Sequence, residues 1–508
     1  MRDYDYNLYL EQRKLADMIT RHAELDDVRI TLASGARANE AVVQGLHPLH
    51  YAVYEKYVEC VKLLLAKGAD PNAAVHYRDS VSMYTGIQRS YLTEIPFIDD
   101  IGYSPVHLAA ERGYRDILEM LIDYGGQTTF REKVACTAEQ PLPPPETTVD
   151  EPLRLAIKNG HFDCAELLLK RGANANAKYF LGSEINFVDP VTQPDFLDLL
   201  LRHGADPDSA DRSGRTPIMF AARHPDAVQA VKILILHGAD VNAQASSRQD
   251  YRSVLHYAVL GGNIDVVRLL IKEGARVSMP PDYAHPQPLD FAILKDDLKM
   301  VKLLIDSGAN VNDVGSPLIG SALHVACCGG DLRNQLEIVE TLLKGSADPN
   351  CATFNEEGQL LAPPLGEYLW NIERPHRPEI VNLILKYGGR VVMRTQNQDP
   401  QGILRSVVRI PVSERDIFTR LLEAGEGYSP LAIYRLPNLS PWTKDTLLWS
   451  GTRPLPLRHQ ARLVVRRQLG QVLPEKVALL PIAPKLKEYI LMQNITLSHN
   501  RYHSEDNL

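Results

Sequence analysis

Cysteine is scarce in this sequence and long apolar runs are missing, and both absences narrow what the chain can be. Six cysteines in 508 residues, none in a C-x-x-C pair, make neither a disulfide framework nor a zinc signature. No stretch approaches the ~18 uninterrupted apolar residues of a membrane-spanning helix. The opening residues, MRDYDYNLYLEQRK, lack the apolar heart of a signal peptide. A soluble intracellular chain, in cytoplasm or nucleus, is expected. A large charge of one sign is also absent: the net charge of −8 argues against nucleic acid or an anionic membrane as the main partner. There is no P-loop, no nucleotide-binding glycine motif, no H-E-x-x-H and no nucleophile elbow. Catalysis by this chain, a metal and a cofactor are therefore not expected.

What is present is internal repetition. GRTPIMFAARHPDAVQAVKILILHGADVN (214–242) and SVLHYAVLGGNIDVVRLLIKEGARV (253–277) are two copies of one unit. The endings at Gly204, Gly238, Gly274 and Gly308 are spaced by 34, 36 and 34 residues. Within a unit, Thr216 stands at a helix N-cap and Pro217 at the first helical position, where its missing N–H is not needed. Ser104-Pro105 repeats the device, and Glu151-Pro152 and Gln287-Pro288 keep the proline behind a poorer cap. Val266, Leu269 and Leu270 give the second helix a wide apolar face, and Gly274 ends it with a left-handed cap. Asp240-Val241-Asn242 and Asp70-Pro71-Asn72 read as turns rather than calcium ligands. Cys60 and Cys164, each three residues before a triple leucine, read as buried core positions.

These residues resemble the ankyrin repeat family, whose period is ~33 residues. HPLHYA, SPVHLA, SVLHYA and SALHVA match its T-P-L-H-x-A motif, and the resemblance implies that His50, His107, His256 and His324 bond neighbouring backbone rather than a metal. Residues 1–45 read as a polar capping helix and a degenerate first repeat, and 46–428 as the array. The unit before Gly204 is short, with an obscure first helix. Residues 429–454 read as a junction or a last broken pair opened by Ser429-Pro430.

Two insertions, 73–102 and 127–150, follow helix-ending glycines and should project from the side of the array that commonly recruits partners. The first carries Tyr77, Tyr84, Tyr91 and Phe97, rings of the kind that anchor interfaces and candidates for contact with a protein substrate. The second is acidic and proline-rich and reads as extended or disordered, and the alternative for both is a tolerated loop with no role.

From 455 to 495 the pattern changes. Leu457, Ala461, Val465 and Leu469 recur every fourth residue on a helix whose remaining faces carry Arg458, Arg462, Arg466 and Arg467. A break at Pro474, a short helix, LPIAP and KLKEYIL follow, and 496–508 is a polar tail. This segment resembles a SOCS box, and with the array it is similar to the ankyrin repeat and SOCS box family. The implied fold is all-α, an ankyrin solenoid followed by a small three-helix box. The resemblance implies that Leu457, Ala461 and Val465 dock elongin B/C, with alanine where the family carries cysteine. It also implies that Leu480, Pro481, Ile482 and Ala483 engage cullin-5 and its RING subunit, with Ala483 replacing the usual second proline. The function implied is substrate recognition for a ubiquitin ligase, without catalysis by this chain. The alternative is a scaffold whose last helices only cap the array.

Overall fold

In a computed structural model the described residues are 3–42, 46–74, 103–130, 150–179, 181–280, 282–316, 319–329, 332–353, 361–371, 375–437, 439–470 and 473–493. Tyr77, Tyr84, Tyr91 and Phe97 lie outside them, as do 131–149 of the second insertion. The chain forms two compact units, residues 1–251 and 252–508, each a stack of helix pairs. Strand is confined to three short pairs among the described residues: Lys178–Tyr179 with Gly182–Ser183, Val314–Ser316 with Gly320–Ser321, and Val391–Val392 with Gly425–Glu426.

The pairs follow the unit read from the sequence. Prolines open Pro48–Tyr54, Pro105–Arg112, Pro152–Lys158, Pro217–Arg223 and Pro288–Leu294. Thr216 holds the N-cap position, but its buried hydroxyl makes no capping bond. Ser104, by contrast, accepts from the His107 amide. Gly238, Gly274 and Gly308 take φ of 86°, 91° and 92°, the left-handed caps expected. In the Asp-x-Asn turns, the Asp70 and Asp240 carboxylates accept from the amides of Asn72 and Asn242, each at 2.8 Å. Asn72 then donates to the Gly125 carbonyl of the next helix pair at 3.0 Å, so this side chain helps fix the spacing between these two repeats.

Two stretches show where the repeat begins and where it wears thin. Helix Asp3–Thr20 buries Leu15, Ala16 and Ile19 on one face and is followed by Leu25–Ala33. In the short unit before Gly204, one 3-10 turn, Glu184–Phe187, stands where a first helix would, followed by Pro194–Arg202. Cys60 and Cys164 are buried as expected, and burial raises their thiols to about 12 and about 11, so both stay protonated.

The four repeat histidines are structural. His107, His256 and His324 Nδ1 lie 2.7, 2.8 and 2.9 Å from the capping serine hydroxyls. Nε2 of His50, His256 and His324 lies 3.3, 3.0 and 3.0 Å from the carbonyls of Tyr103, Pro286 and Ala362 in the following unit. Burial lowers His50 and His107 to about 3, and His256 and His324 to about 4. Asp290 takes the histidine's place in the QPLD unit, accepting from the Gln287 amide at 2.8 Å, and burial raises it to about 7. The two effects oppose each other. Histidines with depressed values stabilise fully above the unfolded value of ~6.5 and lose that contribution as pH falls toward 4. A carboxyl raised to about 7 destabilises above neutrality and gains as pH falls. Asp290→Asn should therefore raise the melting temperature at pH 8 and steepen the loss between pH 6.5 and pH 5. Thermal melts across pH 5–8 that ran parallel for the two proteins would contradict this.

Candidate functional site

The segment after residue 453 folds as three helices, Leu457–Leu469, Leu473–Ala478 and Pro484–Ile490. Lys476 caps the first by donating to the Leu469 carbonyl at 2.6 Å, and Lys487 caps the second through the Ala478 carbonyl at 2.7 Å. Their shared core is small: buried Val477 and Ile490, with Val465, Leu469, Leu480, Ile482 and Leu491 packed against them. So few apolar residues do not hold three helices unaided. The segment is completed by docking on the last helix pairs of its own unit.

Arginines make that docking. Arg462, only 3% exposed, donates to the Glu423 carbonyl at the end of helix Arg415–Ala424. Arg466 donates to the Ile490 carbonyl at 2.8 Å, to Gly389 at 3.3 Å and to Leu385 near the end of helix Pro378–Lys386. Arg467 pairs with the buried Glu426 carboxylate, which Arg390 holds from the other side at 2.6 Å. The Tyr489 ring lies 4.6 Å from the Arg462 guanidinium carbon and 5.9 Å from that of Arg458. Helix carbonyls and a carboxylate are natural partners for guanidinium groups, since both carry negative charge. His459 is buried on the same side, and burial followed by the nearby Arg462 lowers it to about 4. Of the arginines expected on open faces, Arg462 is thus turned inward.

The four-residue stripe divides for a geometric reason. A helix advances ~100° per residue, so each step of four drifts by ~40° and the stripe spirals around the axis. Val465 and Leu469 have rotated into the core of the segment, whereas Leu457 is 81% exposed and Ala461 is exposed. Val464, 57% exposed, lies on the same side as Leu457 and Ala461, seven residues from the first and three from the second. Sequence reasoning missed Val464 by following only intervals of four. The structure therefore leaves Leu457, Ala461 and Val464 as one outward apolar face on a helix that docks on its other side through Arg462 and Arg466.

The second motif is divided in a similar way. Leu480 and Ile482 pack on the core, while Pro481 and Ala483 are exposed. Ala483 is the N-cap of the third helix, with φ −60° and ψ 145°, and Pro484 takes the first helical position. Leu479 beside this turn is 85% exposed. Among the described residues, no group of three or more His, Cys, Asp or Glu side chains is placed to hold a metal ion. None of the described helices is long and apolar enough to cross a membrane.

Comparison with known proteins matches these parts separately. The ankyrin repeats family model matches residues 89–179, 191–245 and 229–315, and the ankyrin repeat model matches 44–75 and 321–354. The SOCS box model matches 453–491. Ankyrin repeat and SOCS box protein 16 of Homo sapiens is 25% identical over 406 residues, covering 72% of this chain and 79% of that protein. Ankyrin repeat and SOCS box protein 6 of Homo sapiens is 31% identical over 139 residues, 24% of this chain and 32% of that one. Ankyrin repeat and KH domain-containing protein mask-1 of Caenorhabditis elegans is 27% identical over 289 residues, 53% of this chain but only 10% of its own length.

Proposed function

This chain is an ankyrin-repeat protein carrying a SOCS box, homologous to ankyrin repeat and SOCS box proteins 16 and 6, and from that premise we propose that it is the substrate receptor of a cullin-RING ubiquitin ligase. The repeats hold a protein substrate, and the box recruits elongin B/C, cullin-5 and the RING subunit. No residue of this chain touches the transfer chemistry. Its contribution is proximity, raising the local concentration of substrate lysines near the ubiquitin thioester.

The observation that carries this reading is the outward face of Leu457, Ala461 and Val464. A box serving only to cap the array has no use for a leucine that is 81% exposed on a helix already docked along its opposite side. An aliphatic face of this kind is suited to burial in a pocket of another protein. Alanine in place of the family's cysteine at 461 removes one buried atom at a cost of ~1 kcal/mol, which leaves elongin binding intact. The test is co-purification of the full chain with elongin B/C; failure of the wild type to capture elongin removes the ligase reading.

Cullin-5 contact is assigned to the exposed turn of Pro481 and Ala483. Ala483 already has the φ of a proline, so Ala483→Pro should stiffen the turn without distorting it. The gain expected from reduced chain entropy is ~0.4–1 kcal/mol, or about two- to fivefold in cullin-5 affinity. Surface plasmon resonance on the assembled elongin complexes measures it, and an unchanged affinity would mean that alanine at 483 is harmless or that cullin contact lies elsewhere. Substrate contact through Tyr77, Tyr84, Tyr91 and Phe97 is part of the same proposal. Accumulation of labelled proteins in cells expressing the chain without residues 455–495 tests for substrates.

A further inference from the structure

Within the second unit, the space between the box helix and the turns of the last repeats is not filled. A cavity of about 370 Å³ remains, and its walls carry Arg390, Arg462, Arg466 and Arg467 against Glu426 and Asp348. Glu426 is already shared between Arg390 and Arg467. Asp348 accepts from the Asn350 amide at 2.9 Å. Four arginines and two carboxylates therefore line one partly open cleft.

The imbalance is felt by the most buried members. Arg462 is 3% exposed, yet its Nε has no hydrogen-bond partner. Burial, and next to it the charge of Arg462, push Arg466 down to about 10. The three carbonyls bonded to Arg466 accept from its terminal nitrogens but carry no full countercharge. Buried positive charge without an anion is costly, and in a poorly solvated cleft an anion is bound more strongly than at the open surface.

We propose that this cavity binds a compact polyphosphate anion of pyrophosphate size, which tethers the box to the last repeats. The guanidinium geometry suits phosphate oxygens, to which arginine donates paired hydrogen bonds. The volume lies at the lower end of the ~300–1,000 Å³ typical of small-ligand sites. No aromatic side chain is among its described lining residues, so a nucleoside base has no ring on which to stack. The recognised group is the phosphate chain itself. The site is separate from the outward Leu457 face and does not depend on the ligase reading.

The experiment is isothermal titration of the full chain with sodium pyrophosphate, the ionic strength held constant with sodium chloride. Saturable one-to-one binding is expected, with Arg467→Gln weakening it about tenfold and Asp348→Asn tightening it by a similar factor. Asparagine at 348 can still accept from the Asn350 amide, so this second variant keeps the turn while removing one negative charge. In Arg467→Gln, Arg390 still holds Glu426, and circular dichroism checks that both variants fold. Opposite shifts from two folded variants are not the result of a general loosening. Absence of saturable heat, or equal affinity in the three proteins, overturns the proposal. Much tighter binding of ADP than of pyrophosphate also overturns it, because the base would then be the group recognised.

Discussion

Leu457→Asp will abolish capture of elongin B/C by the full chain and leave its thermal unfolding unchanged. The two halves of this expectation come from the same geometry. Leu457 is 81% exposed in the free chain, so a carboxylate there meets water and costs the fold almost nothing. In the proposed complex the side chain enters an apolar pocket. The variant then forfeits ~2–3 kcal/mol of leucine burial and pays several more to desolvate a charge, weakening binding about a thousandfold or more. Val464→Asp should behave in the same direction, being on the same face, whereas Val465→Asp should lower stability because Val465 belongs to the core of the box. Pull-down of elongin B/C alongside melting curves separates the three. Equal capture by wild type and Leu457→Asp would move the elongin site away from this helix.

Arg466→Met will loosen the box from the repeats without removing the elongin face. Arg466 reaches the carbonyls of Ile490, Leu385 and Gly389, joining the third box helix and the end of helix Pro378–Lys386 through one side chain. Methionine fills much of the same volume but leaves those acceptors unbonded. Hydrogen bonds to a charged donor contribute ~1.5–3 kcal/mol each, offset by the guanidinium's own burial, so the net loss is about 3 kcal/mol. In hydrogen exchange, amides of the box should open about a hundredfold faster while those of Val254–Gly261 and Ile264–Lys272 stay protected. Elongin capture should persist, since Leu457, Ala461 and Val464 are untouched. Uniform acceleration over the whole second unit would mean that Arg466 supports the repeats rather than the docking of the box.

Placed together, these two expectations divide the box helix into an outer side that recruits and an inner side that anchors. Arg462 and Arg466 show why this division was hard to read in advance. Arginine on a helix next to an apolar stripe ordinarily indicates a solvated face, and only the positions of Glu423, Leu385 and Gly389, about forty to eighty residues away in sequence, turn it into a buried anchor. Glu426 illustrates the same dependence, being a buried carboxylate because Arg390 and Arg467 meet on it from two separate segments.

The repeats were legible for the opposite reason. A Pro at the first helical position, a histidine three residues after the cap, and a glycine past the second helix are local requirements, satisfied within ~33 residues and repeated. His256 bonds Ser253 within its own repeat, and Pro286, whose carbonyl it also meets, comes from the next copy of the same pattern. At Glu184–Phe187, where the local signals weaken, the first helix shortens to a single turn. By itself, then, the sequence determined the repeated helix pairs, their glycine caps and Asp-x-Asn turns, and the place of the C-terminal box. The tertiary structure alone decided which residues of the box face outward, that Val464 joins Leu457 and Ala461, that Val465 does not, and that the arginines enclose a cavity. The physical reason is range: caps and periodicity act over a few residues, whereas exposure and charge compensation depend on segments that meet only after the chain has folded.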